Sequence, residues 1–268
     1  MHETEPQVFL IARPALDLDG MRGYLESVGG ASWLERRLAE AEGSQGGTGA
    51  ANAGELLVEF AGRACYRSWE PGLNANVTRV RSEQREYFAN LLHSAHGSVL
   101  EHASYSFVFR NVSRVFTHEL VRHRAGSAFS QESLRYVRLT DIGFRVPPAL
   151  SPLRDQVLSL VEQLEEFQLS AAAQLGLDEE GVPFEVKKQA TSALRRLAPL
   201  GLSTDIVWSA NLRTLRHVIA MRTDPGAEEE LRLVFDRVAA LAAAEAPGLF
   251  QDFTRSDDGT WLPQFHKV

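Results

Sequence analysis

Between Ser104 and Val112 the large apolar side chains fall on every second residue, at Tyr105, Phe107 and Phe109. Side chains alternate across a strand, so this spacing gives a sheet one apolar face that other elements must cover. Cover follows at once. Ser113 reads as an N-cap and predicts a helix over Val115–Arg124. Gln7–Ala12 and Thr204–Ser209 also suit strands, and Ser133–Leu139 is a further candidate. Helical spacing dominates the rest. It covers Asp19–Ala41 (broken by Gly29 and Gly30), Glu55–Trp69, and Thr78–His96, where Val80, Tyr87, Phe88, Leu91 and Leu92 share a stripe. It returns in Leu153–Leu175, in Phe184–Leu197 before Pro199, in a helix from an Asn211 cap to Met221, and in Glu228–Ala244. Pro147, Pro148 and Pro152 punctuate the middle. The pattern predicts an α/β or α+β fold: a mixed sheet flanked by long helices, with more helix than strand.

Residues 1–54 read as a variable N-terminal extension, residues 55–246 as the main body and residues 247–268 as a C-terminal tail, all within one structural domain. The glycine-rich stretch Gly43–Gly54 reads as a surface loop. It contains Gly47-Thr48-Gly49, but Asn52 stands where a dinucleotide fingerprint needs glycine, and no Gly-Lys-Ser/Thr follows.

The 268 residues carry a formal charge of -7. Nucleic-acid binders are usually basic, so no nucleic-acid partner is expected. Met1–Leu10 does not resemble a signal peptide, and no run of apolar residues is long enough to span a membrane. The expectation is a cytoplasmic protein without a membrane partner. The one cysteine, Cys65, excludes an internal disulfide and reads as a small buried hydrophobe. No metal is expected: His118-Glu119 reaches the next histidine, His123, at a spacing of five, whereas a zinc helix needs four.

Two segments concentrate donors. Arg122-His123-Arg124 closes a predicted helix and leads through Ser127, Ser130 and Gln131 to Ser133, Arg135 and Tyr136. Arginine forks suit phosphate, though a solvated helix end with favourable basic residues reads equally well. Asn211 to Arg222 places Arg213 and His217 on one helix face and Arg222 elsewhere, and a basic outer face is the plain alternative.

Taken together, these segments resemble the flavin-dependent thymidylate synthases. That family's signature is Arg-His-Arg, seven or eight residues, then Ser, commonly followed by x-Arg-Tyr. This chain has Arg122-His123-Arg124, eight residues, Ser133, then Leu134-Arg135-Tyr136. His96-Gly97-Ser98-Val99-Leu100-Glu101-His102 resembles the family segment ending in Glu-His before a strand. Asn211, Arg213, His217 and Arg222 resemble its late helix, and Arg195 before Pro199 an arginine that meets the nucleotide. The resemblance spans roughly Glu55 to Ala244.

The resemblance implies a family fold and a reductive methylation of dUMP to dTMP, with 5,10-methylenetetrahydrofolate as carbon donor and NADPH as reductant through FAD. It places FAD on Ser98, Arg122, His123, Arg124, Gln131, Asn211, Arg213 and His217. It places dUMP on Glu119, Arg122, Gln131, Glu132, Ser133, Leu134, Arg135, Arg195 and Arg222. Either Gln131 or Glu132 takes the place of the family's polar residue before the serine. Arg222 is implied to stabilise negative charge on the uracil ring. Ser133, the other catalytic candidate, reads as a positioning hydroxyl. The family implies a homotetramer with active sites at subunit junctions. Three rivals use the same arginines: a nucleotide- or RNA-binding protein, a phosphohydrolase, and an inactive oligomeric scaffold.

Overall fold

The computed structural model describes residues 1–43 and 53–268. The chain opens with β1 (His2–Glu3) and β2 (Gln7–Ala12), followed by α1 (Leu18–Val28), α2 (Ala31–Gly43), α3 (Ala53–Tyr66) and α4 (Gln84–His93). A 3-10 turn at Gly97–His102 leads into β3 (Ser104–Ser113), α5 (Arg114–Leu120), β4 (Ser127–Gln131) and β5 (Gly143–Phe144). Two long helices follow, α6 (Arg154–Gln174) and α7 (Phe184–Leu194), then β6 (Ser203–Asn211), α8 (Leu212–Arg222) and α9 (Glu229–Glu245). The chain closes with β7 (Phe253–Arg255) and β8 (Trp261–Pro263).

The main sheet has the order β2-β3-β6-β4, with every pairing antiparallel. Among the described residues, parallel pairing is confined to the short β1–β5 ladder, so the expected mixture resides in separate sheets. Alternation works as the sequence predicts. Phe107 pairs with Trp208 and Phe109 with Ile206, and all four are buried. They meet Phe116 of α5 and Phe235 of α9 in one aromatic core, with Trp208 and Phe235 ring centres 5.6 Å apart. Each such side chain contributes about 1.5–3 kcal/mol on burial, which is why the helices lie on this face. On the opposite face the small Ser106 and Ser209 hydroxyls meet at 2.7 Å.

The register slips between Phe109 and Val112, where Asn111 adopts φ 57° and its N–H donates to Asp205. This bulge turns Val112 inward and delivers Ser113 as the cap of α5, with its hydroxyl accepting from Phe116 N–H. Glu230 of α9 accepts from both the Ser113 N–H and hydroxyl, so the cap is tied to the core helix.

A second core forms among α1, α2 and α3, around Leu25, Trp33, Leu34 and Trp69. It contains a buried carboxylate, Glu59. This accepts from Trp33 Nε1 at 3.1 Å, Arg37 at 2.8 and 3.0 Å, Arg63 Nε at 2.7 Å and Gln84 Nε2 at 3.0 Å. Burial works to raise its pKa, but the two arginines outweigh burial and hold it below the ordinary value.

Several expectations need correction. The helix expected over Thr78–His96 is confined to Gln84–His93. The carbonyls of Arg81 and Ser82 are taken by the buried guanidiniums of Arg63 and Arg37, which holds the preceding chain out of helix. The helix expected to reach Arg124 ends at Leu120, because the chain must turn to join β6. The strand expected at Ser133–Leu139 is a turn in which Tyr136 N–H and Val137 N–H both donate to the Ser133 carbonyl. Its place beside β6 belongs to Ser127–Gln131, for which the sequence predicts no strand. Cys65 is exposed, because α3 buries the face carrying Glu55, Val58, Glu59, Gly62 and Arg63 instead. The expected loop Gly43–Gly54 has its ends in α2 and α3, and the remainder, with Gly47-Thr48-Gly49, lies outside the described residues. Among the described residues no helix is long and apolar enough to cross a membrane.

Candidate active site

The Arg122-His123-Arg124 segment leaves α5 through successive tight turns, with Arg122 N–H bonded to the Glu119 carbonyl and His123 N–H to that of Leu120. Gly126 then adopts φ 65°, a left-handed conformation that glycine reaches without steric cost. A Cβ there would stand 2.4 Å from both Asn211 Nδ2 and Thr214 Oγ1. The turn is thereby laid directly on the first turn of α8. Asn211 N–H donates to the Gly126 carbonyl at 3.1 Å, and Thr214 Oγ1 to the Ala125 carbonyl at 2.7 Å. Asn211 also caps α8, its Oδ1 accepting from Thr214 N–H at 2.9 Å.

This joint opens a cavity of about 740 Å³. Its walls include Arg122, His123, Arg124, Asn211, Arg213 and His217, so the structure brings together six residues that the sequence assigned to flavin. Ser98 is exposed beside the pocket wall, on the turn that starts at Gly97, and does not line it. Gln131 faces α5, donating from Nε2 to Thr117 Oγ1 at 3.0 Å. The donors suit an anion. Three arginines and the positive end of an eleven-residue helix converge, and the Gly126 turn lets main chain approach closely. A dinucleotide cofactor with a pyrophosphate fits these residues.

Arg222 occupies the far end of α8. Its Nη1 donates to Glu119 Oε2 at 2.7 Å and its Nε to His123 Nε2 at 2.8 Å. The His123 ring stands edge-on to His217 at 6.3 Å. Burial, then the charges of Arg222 and His217, push the His123 pKa down to about 4. His123 is therefore a neutral imidazole with its proton on Nδ1, an acceptor toward Arg222. Its folded pKa lies below the unfolded value, so it costs stability only as the pH falls through the ordinary histidine range toward 4. We expect its ring resonances to show no titration between about pH 8 and pH 5, followed by NMR; a midpoint near the ordinary 6.5 would contradict the buried, arginine-facing setting.

The remaining nucleotide candidates lie elsewhere. Ser133 Oγ accepts from Arg135 N–H at 3.3 Å, Leu134 packs on the small core around Ile142, and the exposed Arg135 lies over the Tyr136 ring. Glu132 accepts at its carbonyl from Arg114 Nη2 at 3.1 Å. Arg195 ends α7 and lines a small cleft with Leu134.

Sequence reasoning passed over Arg114. It begins α5, where the helix dipole disfavours a cation, and that misplacement was the available signal. Its Nε is buried without a partner, and burial lowers its pKa, opposed by the charge of Glu132 and aided by that of Arg195. An unsatisfied donor beside a second arginine suits an anion. Also unforeseen are His266, Lys267 and Val268, which line the large cavity from the far end of the chain. Arg216, inside the cationic helix, is structural: it is buried against Asp252 at 2.8 and 2.9 Å.

Among known proteins, the family model described as thymidylate synthase complementing protein matches residues 50–248. A flavin-dependent thymidylate synthase of Mycolicibacterium gilvum (strain PYR-GCK) is 38% identical over 221 residues, covering 78% of this chain and 84% of that protein. One of Mycobacterium tuberculosis (strain ATCC 25618 / H37Rv) is 38% identical over 217 residues, with the same 78% and 84% covered. One of Mycobacterium marinum (strain ATCC BAA-535 / M) is 38% identical over 208 residues, covering 76% and 81%.

Proposed function

Since this chain belongs to the thymidylate synthase complementing protein family, that of the flavin-dependent thymidylate synthases, we propose that it methylates dUMP to dTMP with 5,10-methylenetetrahydrofolate and NADPH through FAD. The observation that carries this reading is the cavity at the joint of the Arg122–Arg124 turn and α8, where cations and a helix N-terminus meet. Arg122, Arg124, Arg213 and His217 would hold the cofactor there, with Asn211 fixing the turn. When bound, FAD supplies the ring that takes hydride from NADPH and returns it to complete the methyl group.

The chain's own part is placement and charge. Arg114, Arg135 and Arg195 take the nucleotide phosphate. Arg222, oriented by Glu119 and by the neutral His123, stabilises negative charge on the uracil as carbon–carbon bond formation proceeds at C5. Ser133 positions the nucleotide through its hydroxyl. The single thiol, Cys65, does not line the cavity at the Arg122–Arg124 turn, which agrees with uracil activation by arginine rather than by thiolate attack. Nucleotide candidates are spread over separate places in one chain, and Leu160, Phe167 and Leu169 on α6 are exposed. Both features support a homotetramer whose sites are completed at subunit junctions.

The deciding experiment is an anaerobic absorption spectrum of the FAD-loaded protein. We expect the visible flavin band to bleach with NADPH and to return only when dUMP and methylenetetrahydrofolate are both added. A protein that binds dUMP but takes up no flavin would support a nucleotide-binding scaffold instead.

A further inference from the structure

The β7–β8 hairpin is fixed firmly at its base. Asp252, held by the buried Arg216, accepts from Gln264 N–H at its carbonyl (2.9 Å) and from Phe265 N–H at Oδ2 (3.3 Å). The Phe265 ring stands edge-on to His93 at 5.6 Å. Beyond Phe265 these restraints cease. Among the described residues, the hydrogen bond that holds residues 266–268 is the one from Arg213 Nε to the Val268 carbonyl, at 3.3 Å. That main chain passes directly over Gly97, where a Cβ would stand 2.4 Å from the Val268 carbonyl carbon.

The segment also separates two spaces. The cavity of about 740 Å³ contains Arg124 and Arg213, and a neighbouring one of about 620 Å³ contains Met221 and Arg222. His266 and Val268 line both, as does His217. The family match ends at residue 248, so this segment lies outside it.

We propose that residues 266–268 are a displaceable strap: Val268 occupies Arg213 until a flavin pyrophosphate takes that arginine, and the strap's departure joins the two cavities. The inference rests on the FAD reading above. Arg213 already gives Nη1 to Glu101 at 2.6 Å, so Nε is the donor committed to the strap. A single oxygen at that distance is a weak partner, whereas the several oxygens of a pyrophosphate make shorter, charge-assisted bonds. The exchange therefore favours the ligand. With Phe265 clamped, the motion lies beyond it, and the wall that residues 266–268 form is the one that opens. A reactant held beside Arg222 then gains access to the cofactor side.

The test is FAD association with apo-protein by stopped-flow flavin fluorescence. It compares the intact chain with a variant ending at Phe265. We expect FAD association to speed up roughly fivefold in the shortened variant, the scale of one lost hydrogen bond of ordinary strength. Riboflavin, which has no phosphate, should associate at an unchanged rate. Amide exchange at residues 266–268 should quicken when FAD saturates the intact protein. An unchanged FAD rate in the shortened variant, or slower exchange with FAD bound, would overturn the strap while leaving the cofactor assignment standing. Failure of every form to bind FAD would remove the cofactor assignment itself, and the strap with it.

Discussion

Replacing Glu59 by alanine lowers the stability of this protein by about 3–5 kcal/mol, the cost of leaving buried charges without their counter-ion. Arg63 loses its carboxylate, Arg37 keeps only the exposed Glu40, and Trp33 Nε1 and Gln84 Nε2 lose an acceptor at the same stroke. Glu59 and Arg63 are almost completely shielded from water, so solvent cannot replace what is lost. Glu59→Gln keeps the shape and some hydrogen bonds and should fall between the two. Replacing all three charges with apolar residues, Glu59→Leu with Arg37→Met and Arg63→Met, should recover much of the loss, because no ion is then stranded. The pH dependence has a defined sign. Glu59 has a lowered folded pKa, so its contribution is full above the ordinary carboxylate range and disappears as the pH falls through the folded value. Urea unfolding of the four proteins at neutral pH measures all of this. A loss of less than about 1 kcal/mol in Glu59→Ala would mean that the arginines have found water or other partners.

The largest effect on turnover is expected at Arg222. Arg222→Ala should reduce thymidylate formation by about a hundredfold to a thousandfold, the usual loss on removing one donor aimed at developing negative charge. Lysine should not restore it, since one ammonium cannot supply the paired contacts to Glu119 and His123. The discriminating measurement separates the half-reactions. Flavin reduction by NADPH should survive nearly intact, whereas the dUMP-dependent reoxidation should collapse. If both fall together with the loss of bound flavin, Arg222 is a structural support of the pocket.

The legible parts of the fold were those with a strong period. The alternation at Tyr105, Phe107 and Phe109 and the caps at Ser113 and Asn211 were read correctly because each signal is local. The sequence Ser-Ala-Phe-Ser-Gln at β4 has no such signature. It is an edge strand with one neighbour, and its only large apolar side chain is Phe129. Its identity is set by Ser127 pairing with Ala210, a partner far away in the chain. The same reasoning applies to the site. The arginines of the turn and of α8 were evident from composition and from resemblance. Arg114 was hidden because its meaning depends on Arg195 and on burial. Residues 266–268 were hidden because Gly97, Arg213 and Asp252 together decide where they lie.

The order of the main sheet also bears on how the chain reaches its native state. Val8 pairs with Phe109, and Phe109 with Ile206. Each neighbour therefore waits for chain made much later, and loop closure over such spans slows folding. The α1–α3 core draws on nearby sequence only, with Leu25, Trp33, Leu34 and Trp69 close together along the chain. During synthesis this unit can collapse first, while β2 remains an unpaired edge. Sticky, half-made sheet is then a matter of timing on the ribosome: β2 must be kept from foreign strands until β3 emerges to pair with it, and the free side of β3 until β6 does.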